Sequence, residues 1–289
     1  MKPRDWQLTE DLDEFLRAAD DFLCSRPALH TVTLTVADGL RTSGPSVYGT
    51  GPPRFGVLRD GGGVVRATLL HTPPRPVQLT PVDPAAAAAL ADRLAEAGHQ
   101  VPGLWAERET AAAFAAAWQR RTGVTAEQSE RQRLYRLAEL VPPERTPPGR
   151  ARVADASDRD LLARWYVEFA ADTGGQPGQD PVQWADSRLA HGGATLWETP
   201  DGTPVSLAGH LPESAGQIRV APVYTPAALR GRGYAGAVTA EVSGRAAATG
   251  AEVLLFTDLA NPVSNRLYQR LGYRPVADFA TWTFAAPAG

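Results

Sequence analysis

The run Arg230-Gly231-Arg232-Gly233-Tyr234-Ala235-Gly236 follows a predicted strand over 217–224 and opens a predicted helix over 231–248. The first N–H groups of a helix have no partner within it, and the summed peptide dipoles put roughly half a positive charge there. Glycines let an anion approach the main chain, while Arg230 and Arg232 bring charge-assisted donors of a geometry that suits phosphate. A phosphate group is therefore the ligand this arrangement favours.

Which phosphate compound it serves is open from the glycines alone. Gly231, Gly233 and Gly236 also spell G-x-G-x-x-G, the dinucleotide fingerprint, and Asp258 stands about 20 residues on, at the end of a predicted strand. Two features oppose that reading. Thr225-Pro226-Ala227-Ala228-Leu229 separates the strand from the loop, where the fingerprint wants strand and first glycine joined. Only residues 259–289 follow Asp258, too few to complete a doubly wound sheet. No Gly-Lys-Ser/Thr follows the glycines, which excludes a P-loop. A solvated helix entry with no ligand accounts for the glycines equally well.

Working outward, Val223-Tyr224-Thr225-Pro226 precedes the loop. An apolar run over 253–257 follows the helix, as suits a strand buried on both faces. After it comes Asn261-Pro262-Val263-Ser264-Asn265-Arg266-Leu267-Tyr268-Gln269-Arg270-Leu271-Gly272-Tyr273. With these pieces in register, residues 150–284 resemble the GNAT N-acetyltransferase superfamily. Arg230, Gly233 and Ala235 meet its phosphate pattern (Q/R-x-x-G-x-G/A). Asn261, Leu267, Tyr268, Gly272 and Tyr273 meet its later pattern (N-x-x-A-x-x-L-Y-x-x-x-G-F/Y), with Ser264 at the small position.

The resemblance implies an α/β (α+β) mixed sheet of the GNAT acyl-CoA acyltransferase fold, with acetyl-CoA as co-substrate. By it, Val223, Tyr224 and Thr225 present main chain to the pantetheine arm, with the Val223 N–H as oxyanion donor. Arg230, Gly231, Arg232, Gly233, Tyr234 and Ala235 hold the pyrophosphate. Asn261 hydrogen-bonds near the thioester arm, and Asn265 is either a second such group or a plain surface residue. Tyr268 gives a proton to the departing thiolate, a phenol of pKa about 10 serving a thiol of about 8.5. A tyrosine packed beside Leu267 and Leu271 is its bland alternative. The reaction implied is direct attack on acetyl-CoA by a primary amine of a small molecule or peptide. A non-catalytic acyl-CoA-binding sensor or scaffold is the alternative. An amine of pKa about 10.4 is almost wholly protonated at neutral pH, so a base must act. His210 has the most suitable ordinary pKa among the candidates Glu198, Glu213 and Asp172. A solvated strand-end histidine is its other reading.

Composition sets the outer bounds. The 289 residues admit one large domain or two. A formal net charge of -3 opposes a nucleic-acid partner. Cys24 is the single cysteine, which rules out an internal disulfide and a thiolate zinc site. The histidines lack metal-ligand spacing, so no metal is expected. No apolar run is long enough for a membrane span, and the start, M-K-P-R-D-W, lacks the apolar core of a signal peptide. A cytoplasmic protein is expected, and a homodimer stays open.

The proline-rich stretch 141–149 cannot continue a helix or a central strand, so the expected domains are 1–147 and 148–289. In the first, helices are predicted over 8–23, 84–97 and 110–121, and strands over 30–36, 54–58, 64–70, 77–79, 101–104 and 134–140. The second reads β-α-α-β-β-β-α-β-α-β, antiparallel first and parallel around Val253. Residues 77–121 repeat the order of 223–270, yet no Arg-x-x-Gly-x-Ala lies between Thr80 and Ala89, and Phe114 stands where Tyr268 does. The expectation is two similar domains in tandem, the first degenerate and non-catalytic; coincidental order is the alternative.

Overall fold

Both halves of the chain run through the same succession of elements. In the computed structural model, which describes residues 6–286, the first half holds β1 (Trp6–Thr9), α1 (Leu12–Ser25), α2 (Thr31–Ser43), β2 (Arg54–Arg59), β3 (Val65–His71), β4 (Val77–Leu79), α3 (Pro84–Glu96), β5 (Gly103–Glu107), α4 (Arg108–Thr122) and β6 (Thr125–Leu137). The second holds β7 (Arg150–Val153), α5 (Arg159–Asp172), α6 (Pro181–Ala190), β8 (Ala194–Glu198), β9 (Pro204–His210), β10 (Gln217–Tyr224), α7 (Tyr234–Ala248), β11 (Glu252–Asp258), α8 (Pro262–Arg270) and β12 (Tyr273–Ala285). The order expected for the second half is thus present twice.

Packing gathers these elements into two units. One takes residues up to Leu134, residues 258–260 and those from Val276 on; the other takes 135–257 and 261–275. The expected boundary at 147/148 falls in a loop of the second unit, and packing places the division at Leu134 instead. Most of β12 belongs to the first unit, where it pairs antiparallel with β5 from Phe279 opposite Glu107 to Thr283 opposite Gly103.

In the first unit β1, β2, β3 and β4 are antiparallel neighbours, and β4 lies parallel to β5. In the second, β7, β8, β9 and β10 are antiparallel and β10 lies parallel to β11, the change of direction expected around Val253. Helices cover both faces of each sheet, as strands with two apolar faces require. The first unit packs α1 and α2 through Phe15, Leu23, Leu34 and Leu40 against Phe55 and Leu70. On its other face, Leu90, Leu94, Phe114 and Trp118 of α3 and α4 pack against Leu69, Leu79 and Leu104. The second unit sets Leu162, Trp165 and Trp184 of α5 and α6 against Leu196, Leu207 and Tyr224. Val238, Val242, Tyr268 and Leu271 of α7 and α8 cover Val220, Val253 and Leu255.

Two expectations about the first half change. The helix expected from residue 8 begins only at Leu12, where the Asp11 carboxylate accepts from Glu14 N–H, and Trp6–Thr9 is an edge strand paired with β2. The strand expected over 30–36 is the start of helix α2. Its alternation of threonine with valine and leucine reads as a strand, but the Thr35 hydroxyl donates to the Thr31 carbonyl at 2.8 Å. That hydroxyl is thereby satisfied within the helix, and burial of Leu34, Ala37 and Leu40 decides the outcome.

Candidate active site

The pairing of β10 with β11 sets up the site. Their parallel ladder holds only from Gln217 opposite Glu252 to Arg219 opposite Leu254, although β10 runs on to Tyr224 and β11 to Asp258. Beyond that point, among the described residues, no strand is paired with that edge of β10. On the other side β10 stays with β9 across a bulge. Val220 faces His210 and Val223 faces Ala208, so Ala221 and Pro222 together stand opposite Gly209. A bulge is one of the few places in a sheet for proline, which has no N–H for the ladder. Gly209 is required there, because a Cβ would come within 2.7 Å of the Ala221 carbonyl oxygen. The end of β10 is pinned by Ser206, whose hydroxyl donates to the Tyr224 carbonyl at 3.0 Å and meets Thr225 Oγ1 at 2.7 Å.

Past β10 the chain turns through Ala227–Leu229 into the glycine loop. Gly231 and Gly233 have φ of 78° and 87°, the left-handed region that side-chain-bearing residues rarely adopt. Gly233 is also the N-cap of α7, so no side chain occupies the amides of the first turn. Gly236 has a different task. A Cβ there would come 3.2 Å from Leu267 Cδ1, so the missing side chain lets α7 and α8 approach. The arginines are less free than the sequence suggests. Arg230 Nε donates to the Thr225 carbonyl at 2.9 Å, and its Nη2 pairs with the Asp172 carboxylate at the end of α5. Arg232 Nη2 donates to the Ala228 carbonyl at 3.2 Å. Both side chains brace the loop.

Helix α8 carries the tyrosine. Asn261 starts it, with Pro262 in the first turn; its side chain accepts from Ser264 N–H at 3.0 Å. Its side-chain oxygen is thus taken up as the helix cap. Asn265 faces inward, where Oδ1 accepts from the Tyr135 hydroxyl at 3.0 Å and Nδ2 donates to the Asn261 carbonyl at 2.8 Å. Tyr135 accepts in turn from Gln269. Tyr273 shares a hydrogen bond of 2.7 Å with Ser243. Tyr268 lies edge-on to Tyr273 with ring centroids 6.1 Å apart, and its hydroxyl has no hydrogen-bond partner among the described residues. Burial alone pushes its pKa up to about 12. The Tyr268 side chain keeps a little exposure, 7%, where Tyr135 and Tyr273 are fully buried and bonded.

His210 belongs to another neighbourhood. Its Nδ1 donates to the Leu211 carbonyl, and its ring stands 5.6 Å from that of His191 beyond the end of α6. Burial, with His191 and Arg188 nearby, lowers its pKa. Among the described residues no hydrogen bond or ring contact joins it to the loop or to Tyr268. Glu168 on α5 is the carboxylate bonded to the cleft strand. It accepts from the Tyr224 hydroxyl at 2.8 Å, and burial together with that bond pushes the phenol up to about 12. Nothing in the spacing of residues singles out Glu168 or Ser206; each matters because folding brings it to the end of β10. Among the described residues no cluster of histidine, cysteine and carboxylates is fit to hold a metal, and no helix is long and apolar enough to cross a membrane.

Residues 205–283, from β9 through most of β12, match the family model described as FR47-like protein. No curated protein matches the sequence. Among solved structures, a GCN5-related N-acetyltransferase from Sphaerobacter thermophilus is similar over 100% of this chain and 98% of its own, with TM-score 0.62 and 17% identity. A GNAT-family acetyltransferase from Colwellia psychrerythraea is similar over 97% and 98%, with TM-score 0.60 and 11% identity. A tandem GNAT protein from the clavulanic acid biosynthesis pathway is similar over 99% and 100%, with TM-score 0.56 and 14% identity. The chain is a tandem GNAT-fold protein.

The two GNAT units differ at the place that matters. In the first, β4 is bonded to β5 along its whole length, from Val77 opposite Leu104 to Leu79 opposite Ala106. Thr110 then ties down the chain beyond β4: its hydroxyl donates to the Val82 carbonyl at 3.0 Å, and it accepts from Val82 N–H at 3.1 Å. Helix α3 is capped by Asp83, whose carboxylate takes the N–H groups of Ala85 and Ala86 at 3.0 Å. The Asp83 carboxylate thus takes the first amides of α3, whereas no side chain caps α7. Phe114 is fully buried, stacked on Trp118.

Proposed function

We propose that the second GNAT unit transfers the acetyl group of acetyl-CoA to a primary amine of a small molecule or peptide, and that the first unit is degenerate and non-catalytic. The observation that carries this reading is the strand β10, freed from β11 beyond Arg219 and leading into an uncapped glycine loop. An extended pantetheine arm adds to such an open edge as a further strand would, and the pyrophosphate meets the amides of Gly231 to Ala235. Catalysis is then positioning plus stabilisation of the oxyanion, for which the bulge region around Val223 supplies main-chain N–H.

Tyr268 acts on the sulfur. A phenol of pKa about 12 is a weaker acid than a thiol of about 8.5, so full proton transfer costs about 5 kcal/mol. Its contribution is a donated hydrogen bond that stabilises the thiolate as the carbon–sulfur bond breaks, and the amine's released proton neutralises the sulfur in the end. Glu168 and Asp172, joined to Tyr224 and Arg230, supply the negative charge for a cationic amine. The test is calorimetric titration with acetyl-CoA followed by turnover of an amine panel with free-thiol detection. Tyr268→Phe lowers turnover by about ten- to a thousandfold and leaves acetyl-CoA affinity within about threefold. Unchanged turnover removes the role; binding of NADH but not acetyl-CoA removes the whole reading.

A further inference from the structure

The first unit holds a cavity of about 260 Å³ at the end of its sheet away from Asp83. Strand ends and the entry to β5 form it. Leu8, Phe55, Leu69, Val77, Leu94 and Val101 line it with apolar surface, and Arg54, His71, His99, Thr9 and Glu10 line it with polar groups. An apolar void of about 150 Å³ accepts benzene, so this one has room for a ring or a branched chain with a polar head.

The polar groups make a definite set. Arg54 Nη1 donates to His99 Nδ1 at 2.6 Å, which leaves His99 neutral with its proton on Nε2. His71 is 4% exposed and its Nε2 donates to the Arg75 carbonyl at 3.1 Å, a bond that a buried neutral ring makes with its single N–H. Burial agrees, pushing His71 down to about 4 and lowering His99 as well. The net charge of the lining is set by Arg54 and Glu10. Glu10 is an exposed side chain that reaches Arg54 Nε at 3.3 Å from the rim. The chain's own carboxylate therefore already occupies the position an anionic ligand would take, and it is loosely held and replaceable.

The geometry points to a second binding site, for a small monocarboxylic acid with an aromatic or branched aliphatic body, whose carboxylate displaces Glu10 from Arg54. The apolar surface takes the body, and the Nε2–H of His99 offers the carboxylate a second donor. With one guanidinium and two neutral imidazoles, the cavity favours a single negative charge over two. Neither the coenzyme cleft nor the proposed acetyl transfer bears on this site, so either reading can fail alone.

The test is calorimetric titration of the full chain, free of acetyl-CoA, with benzoate, phenylacetate and isovalerate. At least one gives saturable heat with Kd below about 1 mM, and benzyl alcohol binds at least about tenfold more weakly than benzoate. Arg54→Gln abolishes the preference for the acid over the alcohol. Leu94→Trp fills the cavity and removes the heat. If that variant does not fold, the ring-proton resonances of His99 in the unaltered chain replace it as readout, shifting with benzoate in proportion to saturation. Absence of saturable binding by all three acids up to about 10 mM overturns the proposal. So does equal affinity for benzyl alcohol, or unaltered acid binding in Arg54→Gln.

Discussion

Arg230 shows how one residue joins the sequence pattern to the geometry. Its guanidinium bridges the Thr225 carbonyl and the Asp172 carboxylate, so it fixes the loop against the end of β10 before any coenzyme arrives. Half of its side chain is exposed, so the Asp172 pair contributes little to folding stability. A glutamine can still donate to the Thr225 carbonyl but carries no charge. Arg230→Gln should therefore weaken acetyl-CoA binding by no more than about threefold if bracing is the role, measured by calorimetry. A loss of more than about tenfold means that the charge itself meets the pyrophosphate. Tyr268 makes the complementary point. It is 7% exposed where Tyr135 and Tyr273 are fully buried, and unlike theirs its hydroxyl has no bonding partner among the described residues.

At the scale of the element, glycine positions explain most of what was legible. The loop and the end of α8 are visible in the sequence because left-handed backbone leaves a mark in residue type. Gly272, just after α8, has φ of 96°, and a Cβ there would come 1.7 Å from the Glu139 carbonyl oxygen. Gly272→Ala should cost at least about 2 kcal/mol by strain and collision together, read from chemical denaturation. A cost below about 0.5 kcal/mol would refute the tight approach of the chain after β6 to this turn. Other elements left no such mark. Strand β6 begins Thr-Ala-Glu-Gln-Ser-Glu-Arg-Gln-Arg, polar on both faces, and carries no alternation to read. Helix α2 was hidden by its threonines, which favour strands until tertiary burial intervenes. The parting of β10 from β11 is a property of two segments at once. The residue opposite the bulge, Gly209, becomes evident only when the strands are paired.

For the whole molecule, the repeated order of elements separates fold from chemistry: both units have the order, and only the second has an open strand edge and an uncapped glycine loop. Phe114→Tyr, which restores a hydroxyl at the place equivalent to Tyr268, should leave acetyl transfer within about twofold, because Asp83 and Thr110 still close that end. Stability should also carry a histidine signature. Burial is the leading cause that lowers His30, His71, His99 and His210 below the ordinary 6.5, with His71 reaching about 4. Between those folded values and 6.5 the unfolded chain binds protons that the folded chain refuses, so stability falls as pH drops through 6.5 and keeps falling towards 4. Carboxylates held low by arginine, such as Asp278 beside Arg133, stay ionised until pH approaches 4 and act only below it. In the window from 4 to 6.5 the four histidines are opposed by Glu130, whose pKa burial raises above 4.5 and which therefore binds its proton more readily in the folded chain. His71 alone accounts for about 3 kcal/mol across that window, from a lowering of its pKa from 6.5 to about 4. Thermal unfolding followed from pH 7 to 4.5 should show a falling midpoint, and in His71→Gln, which keeps a donor for the Arg75 carbonyl, a shallower fall from whatever starting value the variant has. Parallel slopes in the two proteins would mean that His71 is protonated in the folded chain and that the neutral lining of its cavity is wrong.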